Sequence, residues 1–300
     1  MKVAFLFAGQ GSQAVGMGKD FYDKYEEVKN IYDKFPEIRD LCFNGPAELL
    51  NQTEYAQKAM LLTSYAIASL AKNNNIIPEY VCGLSLGEYS ALAFANTWNI
   101  VDAIEIIKNR GKIMQNALPL GTTKMAAVIG LDRDIILDTI KGVDGICEIA
   151  NYNCTGQIVI TGDNNGVDNA MPLLQEKGAK RVLPLNVSGA FHSSLLIPAS
   201  KELRKVLDKY NPNKPEYKVV YNVSGKEENG NINDILEKQI CHSVYFEDTL
   251  KYLKECGVDT FVEIGPGKTL SGFVRKTLTD VKSYAICDIE SFDKVLTELK

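Results

Sequence analysis

The sequence predicts an α/β protein, with a mainly parallel sheet covered by helices that is interrupted by a small second unit and then completed. Three observations predict it. Through residues 1–122, short apolar runs alternate with helical stretches, the order that builds parallel sheets. Between residues 123 and 196 the order of signals becomes β-α-β-β-α-β. After residue 196, helix and strand signals of the first kind resume. Residues 1–122 and 197–300 are therefore assigned to one core, and residues 123–196 to an inserted subdomain. A chain of 300 residues is long enough for this arrangement.

The elements follow in order. Residues 2–7 are one apolar run and read as a buried strand. A Gly-rich stretch, residues 8–18, leads into a charged amphipathic helix over residues 19–34. Residues 56–71 are a second helix. Pro78 breaks the chain before an extended run at 79–82, and residues 86–95, rich in Ala and Leu, read as the helix that follows it. In the inserted unit, residues 125–131, 146–150, 157–161 and 181–187 read as strands, and residues 132–141 and 165–177 as helices. This order matches a ferredoxin-like unit. Beyond it come helices at 195–210 and 247–255, and strands at 217–223, 260–264 and 283–287. Lys- and Asn-rich patches at 72–75 and 226–233 read as surface turns.

Composition excludes several classes. A net charge of −5, with no basic stripe, argues against a nucleic-acid partner. The seven cysteines include no C-x-x-C pair, which suggests reduced thiols rather than a disulfide framework or a metal site. No stretch is long enough to span a membrane, and the apolar start is too short for a signal sequence. A cytoplasmic protein is expected.

The chemistry is concentrated at Gly83-Leu84-Ser85-Leu86-Gly87. A serine between two glycines, after an extended run and before a helix with Glu88 in its first turn, has the context of a nucleophile elbow. The glycines permit a turn that a Cβ would crowd. The amide of Leu86, at a helix N-terminus, is placed to stabilise an oxyanion. A plain Gly-Ser loop is the competing interpretation.

A nucleophilic serine needs a base, and the chain has two histidines. His192 stands just before a helix, where the positive end of the helix disfavours imidazolium and keeps the ring able to accept a proton. His242 lies between helical segments and reads as a surface or capping residue. Arg110 falls on the apolar stripe of its helix, three residues after Ile107 and four before Met114. A guanidinium facing inward needs a carboxylate. Spacing leaves open whether the protein supplies it or the substrate does, through a bidentate pair.

Two phosphate-binding patterns fail. Gly9-Gln10-Gly11-Ser12-Gln13-Ala14 fits G-x-G-x-x-A, but no acidic strand end follows about twenty residues on, where the dinucleotide fold needs one. The loop can instead direct the Gln10 amide toward Ser85. Gly267-Lys268-Thr269 resembles the end of a Walker A loop, but Val262 occupies the place of its first glycine.

Taken together, Gly9-Gln10-Gly11-Ser12-Gln13, Gly83 to Glu88, Arg110-Gly111, Asn151-Tyr152-Asn153, Gly189-Ala190-Phe191-His192-Ser193 and Gly265-Pro266-Gly267 resemble the malonyl-CoA:acyl carrier protein transacylase family across nearly the whole chain. The resemblance implies an α/β-hydrolase-like core with a ferredoxin-like insert and an active site in the cleft between them. It implies Ser85 as nucleophile, His192 as base, the amides of Gln10 and Leu86 as oxyanion hole, and Arg110 as the reader of the malonyl carboxylate. By the same resemblance the main-chain carbonyl of Gln239 orients the histidine, and Phe191 matches malonyl-selective members.

The implied substrates are malonyl-CoA and holo acyl carrier protein, with no cofactor and no metal, in a monomer. The implied reaction is a ping-pong transfer through a malonyl-serine ester, supplying fatty acid synthesis. Lys180, Arg181, Arg275 and Lys276 are candidates for contact with an acidic carrier. The chain departs from the family at Leu84, where most members carry histidine, and at Ala8, where many carry proline. The first change is expected to alter packing or solvation under the elbow rather than proton transfer, and the second to loosen the oxyanion loop slightly. Rival readings are a free-standing polyketide-pathway acyltransferase, a serine hydrolase or thioesterase of similar fold, and a non-catalytic binding protein.

Overall fold

The computed structural model describes residues 1–185 and 189–299. Ten strands follow one another along the chain. They are β1 (Val3–Phe7), β2 (Tyr80–Gly83), β3 (Thr123–Ile129), β4 (Cys147–Cys154), β5 (Gln157–Asp163), β6 (Arg181–Pro184), β7 (Lys218–Val219), β8 (Val244–Tyr245), β9 (Thr260–Ile264) and β10 (Lys282–Ile286). They form two five-stranded sheets. The first has the order β10-β9-β1-β2-β7 and is parallel throughout.

β1 lies at its centre and shows why the N-terminal run is wholly apolar. Val3, Phe5 and Phe7 face one buried cluster, whereas Ala4 and Leu6 face another. Both faces of the strand are covered, so no polar alternation survives.

The second sheet has the order β6-β3-β5-β4-β8. Its first four strands pair antiparallel, and β8, from the later part of the chain, adds parallel to β4. The helices Arg133–Ile140 and Asn164–Glu176 complete the expected β-α-β-β-α-β order and cover a third buried cluster. The strand expected over 181–187 begins as β6; its remainder runs into residues 186–188, outside the described residues.

Two elements differ from expectation for visible reasons. The helix expected over 19–34 divides into Lys19–Lys24 and Glu26–Tyr32, with Tyr25 extended between them. The Tyr25 ring packs against Phe21 and edge-on to Phe292, a tertiary contact that overrides local helical preference. The strand expected over 217–223 shortens to β7. The chain then leaves the sheet, because the Asn222 amide is taken by the Glu88 carboxylate and Gly225 bonds back to Tyr221.

Among the described residues no helix is long and apolar enough to cross a membrane. No group of three or more His, Cys, Asp or Glu gathers there to hold a metal ion.

Candidate active site

Ser85 sits between β2 and the helix Leu86–Phe94, with φ 54° and ψ −105°. Few non-glycine residues adopt a positive φ, and its presence at a strand-to-helix turn is the elbow geometry expected. The neighbouring glycines are required by close approach. A Cβ on Gly83 would lie 2.1 Å from the backbone of Gly87.

The Oγ of Ser85 lies 2.8 Å from Nε2 of His192. Nδ1 of the same ring is 2.8 Å from the main-chain carbonyl of Gln239. A carbonyl only accepts, so Nδ1 carries the proton and Nε2 is left as the acceptor for the serine hydroxyl. The loop is fixed by the His192 amide, which donates to the Ile240 carbonyl at 3.1 Å. Burial, and then the nearby charge of Arg110, lower the His192 pKa to about 4, against main-chain bonds to Gln239 and His242 that raise it. The ring is therefore neutral at neutral pH, as expected. The dominant causes are burial and the arginine, rather than the helix start.

Arg110, on the helix Ile100–Gln115, is fully buried. Nη1 donates to Oε1 of Gln57 at 2.7 Å, and Nη2 donates to Ser85 Oγ at 3.1 Å and to Gln239 Oε1 at 3.0 Å. The guanidinium carbon lies 4.9 Å from the centre of the Tyr89 ring. All three acceptors are neutral, and Nε has no partner among the described residues. The nearest candidate counter-ion, Glu88, is buried, and desolvation pushes its pKa to about 8 against bonding from Asn222 and the charge of Arg110. It is mainly uncharged at neutral pH. Among the described residues Arg110 thus has no ionised carboxylate partner, and this favours the reading in which the substrate brings one.

Ser85 and His192 open onto a cleft of about 1140 Å³, whose walls include Gln10, Gln57, Met125, Asn153 and Phe191. Strand residues of the second sheet meet the loops that follow β1 and β2 there. Gln10 is fixed by its side chain, which donates to Oγ1 of Thr53 at 3.2 Å. Its loop is drawn close to the elbow, since a Cβ on Gly9 would lie 2.8 Å from the Leu84 carbonyl. Leu86 is the first residue of the helix after Ser85 and is buried. Leu84 lines the cleft and packs against the second core cluster.

His242 is exposed and bonds the Lys238 carbonyl at 3.0 Å. The turn after β9 is no phosphate cradle. The Leu270 and Ser271 amides, at the start of the helix Thr269–Thr277, donate to the buried Glu263 carboxylate at 3.0 and 2.7 Å.

Three site contributions have no signal in the sequence. They are Gln57 on the arginine, the side chain of Gln239 on both Arg110 and the Ser85 carbonyl, and Asn222 against the elbow. Neutral amides on helices and loops give no local pattern. Only the convergence of distant segments assigns them a place.

A strained serine paired with a neutral histidine is suited to acyl transfer, whether to water or to another acceptor, and residues 4–291 match the acyl transferase domain family. A malonyl CoA-acyl carrier protein transacylase from Bacillus subtilis is 41% identical, covering 100% of this chain and 98% of the relative. The solved malonyl CoA-acyl carrier protein transacylase of Clostridium perfringens superposes with a TM-score of 0.97 at 41% identity, over 100% and 97% of the two chains. A malonyl-transacylase solved in complex with its type II PKS acyl-carrier protein superposes at 0.96, with 34% identity over 99% and 100%. The chain belongs to the malonyl CoA-acyl carrier protein transacylase family.

Proposed function

We infer that the chain transfers the malonyl group of malonyl-CoA to the phosphopantetheine thiol of acyl carrier protein, in the service of fatty acid synthesis. The observation that carries this is Arg110, a buried guanidinium without a carboxylate partner among the described residues, bonded to the oxygen of a serine that also bonds a neutral histidine. The reading of the fold goes with it. The elbow between β2 and its helix supports an α/β-hydrolase-like core, residues 1–122 and 197–300. The β6-β3-β5-β4 order supports a ferredoxin-like insert, residues 123–196.

The reaction proceeds in two halves. The malonyl carboxylate engages Arg110, Ser85 Oγ attacks the thioester carbon, and His192 Nε2 takes the hydroxyl proton. The Gln10 and Leu86 amides stabilise the oxyanion. The intermediate collapses, the C–S bond breaks, and His192 returns its proton to the departing thiolate of coenzyme A. The carrier thiol then gives a proton to His192, attacks the malonyl ester, and displaces Ser85, which recovers its proton. The Gln239 carbonyl holds the ring through both halves, and Phe191 bounds the acyl end of the cleft. No cofactor or metal takes part in this scheme.

A thioesterase would release the acyl group to water and has no need of a buried carboxylate reader. The test is transfer from acetyl-, malonyl- and methylmalonyl-CoA to a holo carrier protein, with free acid measured alongside. Malonyl-carrier as the main product supports the reading. Free malonate as the main product, with the carrier unmodified, would point to hydrolysis.

A further inference from the structure

Ser85 is held at φ 54° and ψ −105°, a backbone state that a serine does not keep unaided. The side chain that braces it comes from the distant residue Asn222. Its Oδ1 accepts the Ser85 N–H at 2.8 Å, and its Nδ2 donates to the Gly83 carbonyl at 2.7 Å. These two backbone groups flank Leu84, so one amide closes the tightest part of the elbow. The task needs a donor and an acceptor in the same short side chain. An ionised Asp lacks the donor, and an aliphatic residue lacks both.

Asn222 is itself held firmly. It is fully buried, its N–H donates to Glu88 Oε2 at 2.5 Å, and its carbonyl accepts the Tyr245 N–H at 2.8 Å. Glu88 stands in the first turn of the helix that starts from Ser85. The contacts therefore close a circuit from the serine to Asn222, on to Glu88, and back along the helix to the serine. Asn222 Oδ1 also accepts from Gln239 Nε2 at 3.2 Å, and Gln239 Oε1 accepts from Arg110. The brace thus joins the nucleophile to the support of the carboxylate reader.

We propose that Asn222 is a positioning residue for acyl transfer, which keeps Ser85 Oγ in attack geometry by bonding Gly83 and Ser85 at once, with Glu88 as its seat. The proposal rests on Ser85 being the acylated nucleophile.

The test compares Asn222→Ala and Asn222→Asp with the wild type in three measurements. These are labelling of Ser85 by phenylmethylsulfonyl fluoride, which needs no malonyl group, kcat and KM with malonyl-CoA, and thermal melting. Asn222→Ala is expected to slow labelling and kcat by roughly a hundredfold, the scale of a misplaced attacking atom. Its KM should stay within about threefold, because Arg110 keeps its separate bond to Gln57 and Asn222 does not line the cleft.

Asn222→Asp is expected to regain labelling rate as pH falls from about 7.5 to about 5, because a protonated carboxyl recovers the donor to Gly83. The charged and titratable groups around the brace are Glu88, His192 and Arg110, together with Cys82, Tyr89 and Tyr221 near Glu88, whose pKa values burial raises so that they stay protonated. Within that window Glu88, with a pKa of about 8, stays mainly protonated, His192, at about 4, stays mainly neutral, and Arg110 stays charged.

Wild-type labelling in a folded Asn222→Ala protein would overturn the proposal. So would an Asn222→Asp protein whose labelling stays at the Asn222→Ala rate at every pH, or that fails to fold throughout the window, since either result assigns Asn222 to the fold alone. A wild-type protein that takes the sulfonyl label but never a malonyl group would instead refute the proposed reaction and leave the brace standing.

Discussion

Nη2 of Arg110 lies 3.1 Å from Oγ of Ser85, so the proposed reader of the acyl carboxylate touches the proposed nucleophile. In a malonyl thioester a single methylene separates carboxylate from reacting carbonyl. A reader and a nucleophile in contact match that short span.

Arg110→Ala is therefore expected to lower kcat/KM for malonyl-CoA by roughly a hundredfold or more, the cost of breaking a desolvated charge pair. Transfer from acetyl-CoA should hold or rise, because no unpaired guanidinium then opposes a neutral acyl group. Equal losses for both substrates, measured side by side, would make the arginine structural.

The histidine sets the pH dependence. With its pKa lowered to about 4, His192 is a competent base through the neutral range and is protonated only below that value. Labelling of Ser85 by a neutral sulfonyl fluoride is expected to stay level down to about pH 5 and to fall as pH drops through about 4. An acid limb near the ordinary imidazole value of about 6.5 would show that burial and Arg110 do not act as described. His192→Ala should reduce the rate by about 10²–10⁴-fold at any pH.

Glu88 makes stability pH-dependent in the opposite sense. Its folded pKa is raised to about 8 from an ordinary 4.5, so the folded state binds the extra proton between those values. The stability this confers is complete below about pH 4.5 and is lost as pH rises through about 8. Glu88→Gln keeps an acceptor for Asn222 and cannot ionise. Its melting temperature relative to wild type should climb steadily from pH 5 to about pH 8.5. A constant difference across that range would contradict a buried, protonated Glu88.

Leu84 packs against the second core cluster and lines the cleft, while Ser85 Oγ faces His192 Nε2. Leu84→His is thus expected to change kcat by less than about tenfold, as a packing substitution next to an intact proton relay does. A change of several orders of magnitude in turnover would give that position a direct part in the chemistry.

The sequence made legible what local pattern encodes. Gly83 to Gly87 announces the elbow because sterics allow few residues at such a turn. His192 follows because the chain has one other histidine. Arg110 was legible as an inward-facing charge, but the absence of a protein carboxylate beside it could be found only in three dimensions. Gln57, Asn222 and the side chain of Gln239 were not legible, since a neutral amide on an amphipathic element looks like surface until packing brings it inward. The fold divides in the same way. β1 and β9 were clear as short apolar runs. The helices Pro36–Asn44 and Ile232–Gln239 are short, carry polar residues through their length, and depend on tertiary contacts to persist. The break at Tyr25 is set by Phe292, nearly the whole chain away.

In the proposed reaction Ser85 carries the malonyl group between its two carriers. The direct measurement is intact mass after brief mixing with malonyl-CoA and no acceptor, followed by peptide mapping. One malonyl ester is expected, located on Ser85, absent in Ser85→Ala, and discharged when holo carrier protein is added. A protein that transfers malonyl groups while Ser85 stays unmodified, or a Ser85→Ala protein that still takes the label, would contradict it.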